Sequence, residues 1–296
     1  MRTLIGCTLL IALAAAGGGY AYWTEQREVG HYLSDLRVEL AINDGVDSGR
    51  GNLLGIEAQL SPRDYQSLAL LHLKLAAYMS KARDAGLLND KTIVVLPEHI
   101  GTWLMFRGEK NELYQARDLS EAMHWLAISN PLTFTRAWLG AVGESRLNDA
   151  HLRMKAASMA ADYQTLFGGL AKEFGVTLVA GSIALPDPRI ENGTLRAGTG
   201  PLYNSSVVFD RNGAAQGKPQ RQLLPTYEEQ TYIQPSPDHQ LNVIDTPAGR
   251  LGILVGSDSW YPDNYRKLNE QGAQLVAVPA LVIGRDTWDK PWRGFK

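Results

Sequence analysis

The stretch GILVGSDSWYP, Gly252 to Pro262, decides how the rest of the chain is read. An apolar run enters a small-residue turn and leaves through Trp260, Tyr261 and Pro262. That pattern marks a buried strand ending in a loop, where functional side chains commonly sit. "YPDNYRKLNEQG" then has the periodicity of a helix, and "AQLVAVPAL" that of another buried strand. A strand, helix, strand order of this kind predicts an α/β fold.

Working outward, "NLLGIEAQL" (Asn52 to Leu60) reads as a strand. "RDYQSLALLHLKLAAYMSKARDAG" reads as a helix closed by Gly86. "KTIVVLPEH" is a β-branched run closed by Pro97, which puts Glu98 at the C-terminal end of a strand. A second helix is expected over about His151 to Phe174, stopped by Gly175, with the strand "VTLVAGSIAL" after it. "YNSSVVFDRNGAAQGKPQRQLLP" predicts two strands joined at Asn212-Gly213. Three strand exits carry polar residues: those after "TIVVLP", "QGKPQRQLLP" and "RLGILV". In open α/β sheets, ligands gather at such exits.

The 296 residues carry a formal net charge of −2 and are 45% hydrophobic. This balance gives no basic surface for nucleic acid. The single cysteine, Cys7, excludes an intrachain disulfide and a cysteine-based zinc site. No histidine pairs with another at metal spacing along the chain: His72 and His124 fall in helical patterns and His151 at a helix start. No metal or cofactor is therefore expected. His99, beside Glu98, is able to face a cavity, although backbone satisfaction is the plainer role for a strand-exit histidine. "ENGT" and "NSS" match glycosylation sequons too short to carry weight.

The N-terminal "MRTLIGCTLLIALAAAGGGYAYW" has no charge between Arg2 and Glu25, and Tyr20, Tyr22 and Trp23 sit where an interfacial aromatic belt would. A single-pass anchor over 1–23 is expected, with Arg2 inside and the body on the periplasmic or extracytoplasmic side. Cleavage near Ala14-Ala15-Ala16, giving a secreted domain, is the alternative. Residues 24–50 read as a polar linker with some helix, and 51–296 as one domain.

"GIEAQL", "IVVLPE", "LVAGS", "YNSSVVFDRNG", "RQLLPTYEE" and "GILVGSDSWYP", in this order, resemble the nitrilase or carbon-nitrogen hydrolase superfamily from about Asn52 onward. The resemblance implies a four-layer α-β-β-α sandwich that commonly associates through its outer faces. It also implies a Glu-Lys-Cys triad of base, oxyanion stabiliser and nucleophile. Glu98 matches the base. Glu229 matches a supporting carboxylate, with Glu228 as competitor. The lysine position falls on Gln222, or on Gln220 or Arg221 in other registers, and Lys218 on the same strand lies about 13 Å away. The cysteine position is Gly256, and the chain has no sulfhydryl after Cys7. Ser257 is the one candidate substitute nucleophile, and "VGSDS" lacks a nucleophile-elbow pattern. Trp103, Trp260 and Tyr261 are read as core packing, with pocket lining as the alternative.

Two further departures from the family are expected. Residues of about 104–146 form an insertion, with Trp125 and Trp138, that packs as a helical cap over the pocket or against a partner or membrane. The sheet's closing edge near Lys296 is short and open to completion by another chain. The leading expectation is a membrane-tethered pseudoenzyme that binds a small amide-like ligand or a protein, or forms a homo-oligomer. An amide or nitrile hydrolase using Glu98 with Ser257 or an activated water is the alternative. Acyl transfer to membrane lipoproteins needs the missing thiol.

Overall fold

The computed structural model describes residues 2–27, 30–46, 48–237 and 240–281. Its strands are, in chain order, β1 (Asn52–Gly55), β2 (Thr92–Val95), β3 (Thr177–Val179), β4 (Ile183–Pro186), β5 (Arg189–Glu191) and β6 (Thr194–Arg196). They continue with β7 (Leu202–Phe209), β8 (Ala215–Arg221), β9 (Val243–Thr246), β10 (Gly249–Ile253) and β11 (Leu275–Ala277). The helices are α1 (Arg2–Glu25), α2 (Leu68–Asp84), α3 (Asn111–Tyr114), α4 (Leu119–Ser129) and α5 (Pro131–Gly140). After them come α6 (Arg146–Met154), α7 (Ala156–Tyr163), α8 (Gly169–Phe174) and α9 (Pro262–Glu270).

One sheet runs β1-β2-β3-β7-β4, with β8 also on β7; β1, β2 and β3 are parallel. A second runs β11-β10-β9, and β5 and β6 form a separate hairpin. Alternation along the strands fixes what each face meets. Ile93, Val179 and Val208 point toward the second sheet and pack with Leu251, Ile253, Val255 and Ala277. Their neighbours Val94, Leu178, Val207 and Phe209 point the other way, onto Leu71, Leu75 and Met79 of α2 and onto Tyr163, Phe167 and Leu170. Leu254 turns outward from the second sheet and meets Leu268 of α9. The layers are therefore helices, sheet, sheet and helix: an α-β-β-α sandwich.

Several sequence expectations give way to local geometry. The Asn52 to Leu60 strand stops at Gly55. The run "VTLVAGSIAL" is two strands divided at Gly181, whose φ of 63° turns the chain. The helix expected over 151–174 is three pieces with a π-turn, Gln164–Gly168, between α7 and α8. The Gln164 side chain causes a close approach there: it bonds Gly213 O at 3.2 Å and Leu195 N at 3.0 Å. A Cβ at Gly168 would sit 2.7 Å from Gly213 O. Between 30 and 50 the described residues contain no helix. This segment lies against the body instead, through Tyr32 on Ser61 at 3.2 Å, Ser34 on Asp64 at 2.5 Å and the buried Lys74 on the Asp35 carbonyl. Most of the expected short closing edge falls on 282–296, outside the described residues.

Candidate functional site

Glu98 stands three residues past β2 and is buried. Its Oε1 accepts from Asn204 Nδ2 at 3.0 Å and its Oε2 from Leu281 N at 3.1 Å. Burial pushes its carboxyl above the ordinary range, against the opposing pull of His99.

Gly256 faces it from the exit of β10. Its φ is +50°, in the region that favours glycine. A Cβ built on Gly256 would lie 2.6 Å from the Glu98 carboxyl carbon and from its Oε2. The Glu98 carboxylate thus fills the space that a side chain at 256 needs.

Gln222 is fully buried just beyond β8. It accepts from Asn204 Nδ2 at 3.2 Å and donates to Ser257 Oγ at 3.1 Å. Of the three registers for the lysine position, this one meets the other site residues. Gln220 instead bonds the backbone of Gln240 and Asn242. Arg221 pairs with Asp187 at 2.7 Å, and its guanidinium lies 4.1 Å from the Tyr203 ring centroid. Lys218 is exposed on the far side of a β-bulge.

Ser257 Oγ donates to Leu224 O at 2.6 Å, so its proton is held by backbone rather than by a carboxylate base. Asp258 accepts from Leu223 N at 2.9 Å and Leu224 N at 2.8 Å, tying the β10 turn to the chain after Gln222. Burial pushes its carboxyl up to about 7 despite those bonds. Asp258→Asn turns an NH2 toward donors and is expected to cost about 1–3 kcal/mol, read by urea unfolding. An unchanged midpoint would show that this tie is not structural.

His99 takes both of the roles left open for it: its ring lines the cavity and its backbone N is held by Ser182. Its φ of 60° is unusual for a residue with a side chain. Ser182 Oγ accepts from its backbone N at 2.8 Å. The ring lies against Thr102 Oγ1 through Nδ1 at 3.2 Å and Glu229 Oε1 through Nε2 at 3.2 Å, with Glu98 Oε1 at 4.0 Å. Burial pulls the imidazole pKa down, but the bond to Glu229 and the two carboxylate charges outweigh it, so it ends raised. For Glu229, burial pushes up, and the bonds from His99 and from Thr226 N and Oγ1 outweigh it, so it ends lowered. Glu228 is exposed. The imidazole, its pKa raised, lies between the buried Glu98 and the half-buried Glu229, so a proton on it is favoured by both carboxylates. Ligand atoms of Glu98, His99 and Glu229 lie within 4.8 Å of one another, a spacing able to hold a metal ion that the sequence did not reveal. Here the imidazole bridges them. The missed signal was spatial: Glu229 is 130 residues from His99.

A cavity of about 640 Å³ reaches this cluster at His99. Thr102, Trp103, Met105 and Tyr232 line it beside Met123, His124 and Phe134 from the 104–146 segment, with His151 at its wall. His151 Nε2 bonds Met123 O at 3.0 Å, and His72 pairs with Glu173 at 2.7 Å. Trp260 and Tyr261 are half-exposed, so the core-packing reading fails for both.

The carbon-nitrogen hydrolase family model matches residues 59–293. The chain belongs to this family. It is 30% identical over 132 residues to the deaminated glutathione amidase of Yersinia enterocolitica, covering 40% of this chain and 43% of that one. It is 29% identical over 104 residues to the N-carbamoylputrescine amidase of Arabidopsis thaliana, covering 31% and 34%. The matches span less than half the length of these two relatives. Among solved structures, a carbon-nitrogen hydrolase from Helicobacter pylori G27 aligns with TM-score 0.47 at 18% identity, over 78% of this chain and 59% of that one. An amidase from Nesterenkonia sp. aligns with TM-score 0.46 at 19% identity, over 80% and 67%. In the geometry above, Asn204 joins Glu98 to Gln222, and Gly256 abuts the Glu98 carboxylate.

Proposed function

We propose that this carbon-nitrogen hydrolase-fold protein has lost Glu-Lys-Cys catalysis and acts as a membrane-tethered binding or regulatory pseudoenzyme. One observation carries the reading: the Glu98 carboxyl carbon lies 2.6 Å from where a Cβ at Gly256 would be, leaving no room for a thiol in this arrangement. Three further features support it. Gln222 is neutral, and a lost charge stabiliser of this kind costs about a hundredfold or more in rate. Ser257 holds its proton on Leu224 O. Among the described residues the buried Asn204 Oδ1 has no donor, which suits a ligand bearing an N–H, such as a small amide.

The helix Ile5–Glu25 is long and apolar enough to span a membrane or to be a signal. With Arg2 inside, the body lies on the extracytoplasmic side.

A second reading, hydrolysis by a water held at Glu98, is favoured by the closeness of His99 to both carboxylates. One experiment separates the two. The purified chain and Glu98→Gln are assayed for ammonia release over a panel of aliphatic amides and nitriles. Equal background rates are expected. Turnover that Glu98→Gln abolishes would overturn the pseudoenzyme reading in favour of the second.

A further inference from the structure

The C-terminal end of α1 is docked on the 104–146 segment rather than hanging free. Tyr20 Oη donates to Ile128 O at 2.5 Å, and the Trp23 ring lies 6.4 Å from that of Trp125. Lys110 Nζ lies 4.3 Å above the Trp23 ring and donates to Gln26 O at 2.6 Å. Arg27 reaches Glu109, Ser129 O at 2.9 Å and Asn130 Oδ1 at 3.1 Å. The corner between α4 and α5 is therefore pinned to residues 20–27. That is where an apolar span of Ile5–Glu25 runs out. Tyr20 is about 7 Å below Glu25 at 1.5 Å per residue, within the depth of a headgroup layer.

From that corner α5 begins at Pro131, and its outer face is bare. Leu132 is 85% exposed and Leu139, two turns on along the same stripe, 69%; Trp138 and Val142 are exposed beside them. The inner face is already occupied, with Ala137 packed on Ala141 and Ala150 and against Phe134 and Met154. The helix has no acidic residue, and its one charge is Arg136; Arg146 lies 4.8 Å over the Trp138 ring. Apolar side chains flanked by arginine and tryptophan fit the boundary between headgroups and acyl chains.

We propose that the outer face of α5 lies in the interfacial layer of the bilayer that α1 crosses, making the 104–146 segment a second membrane contact that fixes the body's tilt. This rests on the reading of α1 as a membrane span. Leu132 and Leu139 are immersed to headgroup depth, Arg136 and Arg146 meet anionic lipid phosphates, and α9, packed through Leu268 on the outer side of the second sheet, stays in water.

The test uses the full chain in vesicles of phosphatidylcholine and phosphatidylglycerol. Because Cys7 is the only cysteine, it serves as one labelling site. The others are Leu132→Cys, Leu139→Cys and Asp263→Cys, each made with Cys7→Ser. Each carries an environment-sensitive fluorophore, and lipids carry nitroxides at the headgroup or deep in the chain. Quenching by headgroup nitroxide at 132 and 139 is expected to exceed that at 263 by about threefold or more. Cys7 is quenched by the deep nitroxide. If Cys7 is quenched while 132 and 139 match 263, the α5 contact is refuted and the span stands. If Cys7 is not quenched, the span falls and the proposal with it. Quenching at 132 and 139 that disappears on dilution with unlabelled chain at constant lipid would show self-association instead, and would also overturn it.

Discussion

Gly256→Cys is expected to lose about 2–4 kcal/mol of stability without creating a working nucleophile. Two costs combine. A side chain at φ +50° leaves the backbone strained, by roughly 1–2 kcal/mol. The new Cβ would also stand 2.6 Å from the Glu98 carboxyl carbon, which must shift and give up its bonds from Asn204 and Leu281. Gly256→Ala carries both costs with no chemistry, so it should fall as far. The second cost belongs to a pair, which a double-mutant cycle isolates. Glu98→Ala with Gly256→Ala should recover at least about 1 kcal/mol relative to the sum of the singles. Urea unfolding of the four proteins measures this, and strict additivity would mean that the carboxylate does not fill the space beside Gly256.

Removing His99 should be comparably severe, and its signature is in pH. His99→Gln removes the ring that lies 3.2 Å from Glu229 Oε1 and 4.0 Å from Glu98 Oε1, a loss of about 2–4 kcal/mol below about pH 6.5, where its contribution is complete. The direction follows from the shifts. The raised pKa of His99 means that its stabilising contribution is complete below about 6.5, its unfolded value, and fades as pH rises through the folded one. The lowered pKa of Glu229 adds stability that is complete above about 4.3 and is lost as pH falls through its folded value. Glu98, raised by burial, opposes folding once it ionises, so its contribution is greatest below about 4.3. The wild-type chain should therefore weaken as pH rises above about 6.5, whereas His99→Gln should be weaker below that pH and flatter above it. Identical pH profiles for the two would contradict the ion cluster.

Much of this arrangement was legible in the sequence. The continuous apolar runs "TIVVLP" and "RLGILV" marked buried strands, but apolar on both faces they did not say which residues meet between the sheets. By counting along motifs, Gln222 could be narrowed only to one of three registers, and Gly256 could be placed at the turn after β10. His99 could not. Its role depends on a left-handed backbone at one residue, held by Ser182 from the break between β3 and β4, and on a carboxylate far along the chain. The helix over 151–174 misled because its apolar spacing continues across the π-turn that Gln164 and Gly168 impose from the side. Polar residues 30–46 looked like a free linker because bonds such as Lys74 to the Asp35 carbonyl leave no periodicity to read. The tryptophans divide by context: Trp103 lines the cavity, while Trp260 stands half in solvent at the turn.

The most direct test of the account is intact-mass spectrometry of the full chain after prolonged exposure to a reactive amide such as fluoroacetamide. An unmodified mass is predicted for the Cys7→Ser chain, which has no thiol. An added acyl group mapping to Ser257, and absent in Glu98→Gln, would contradict it.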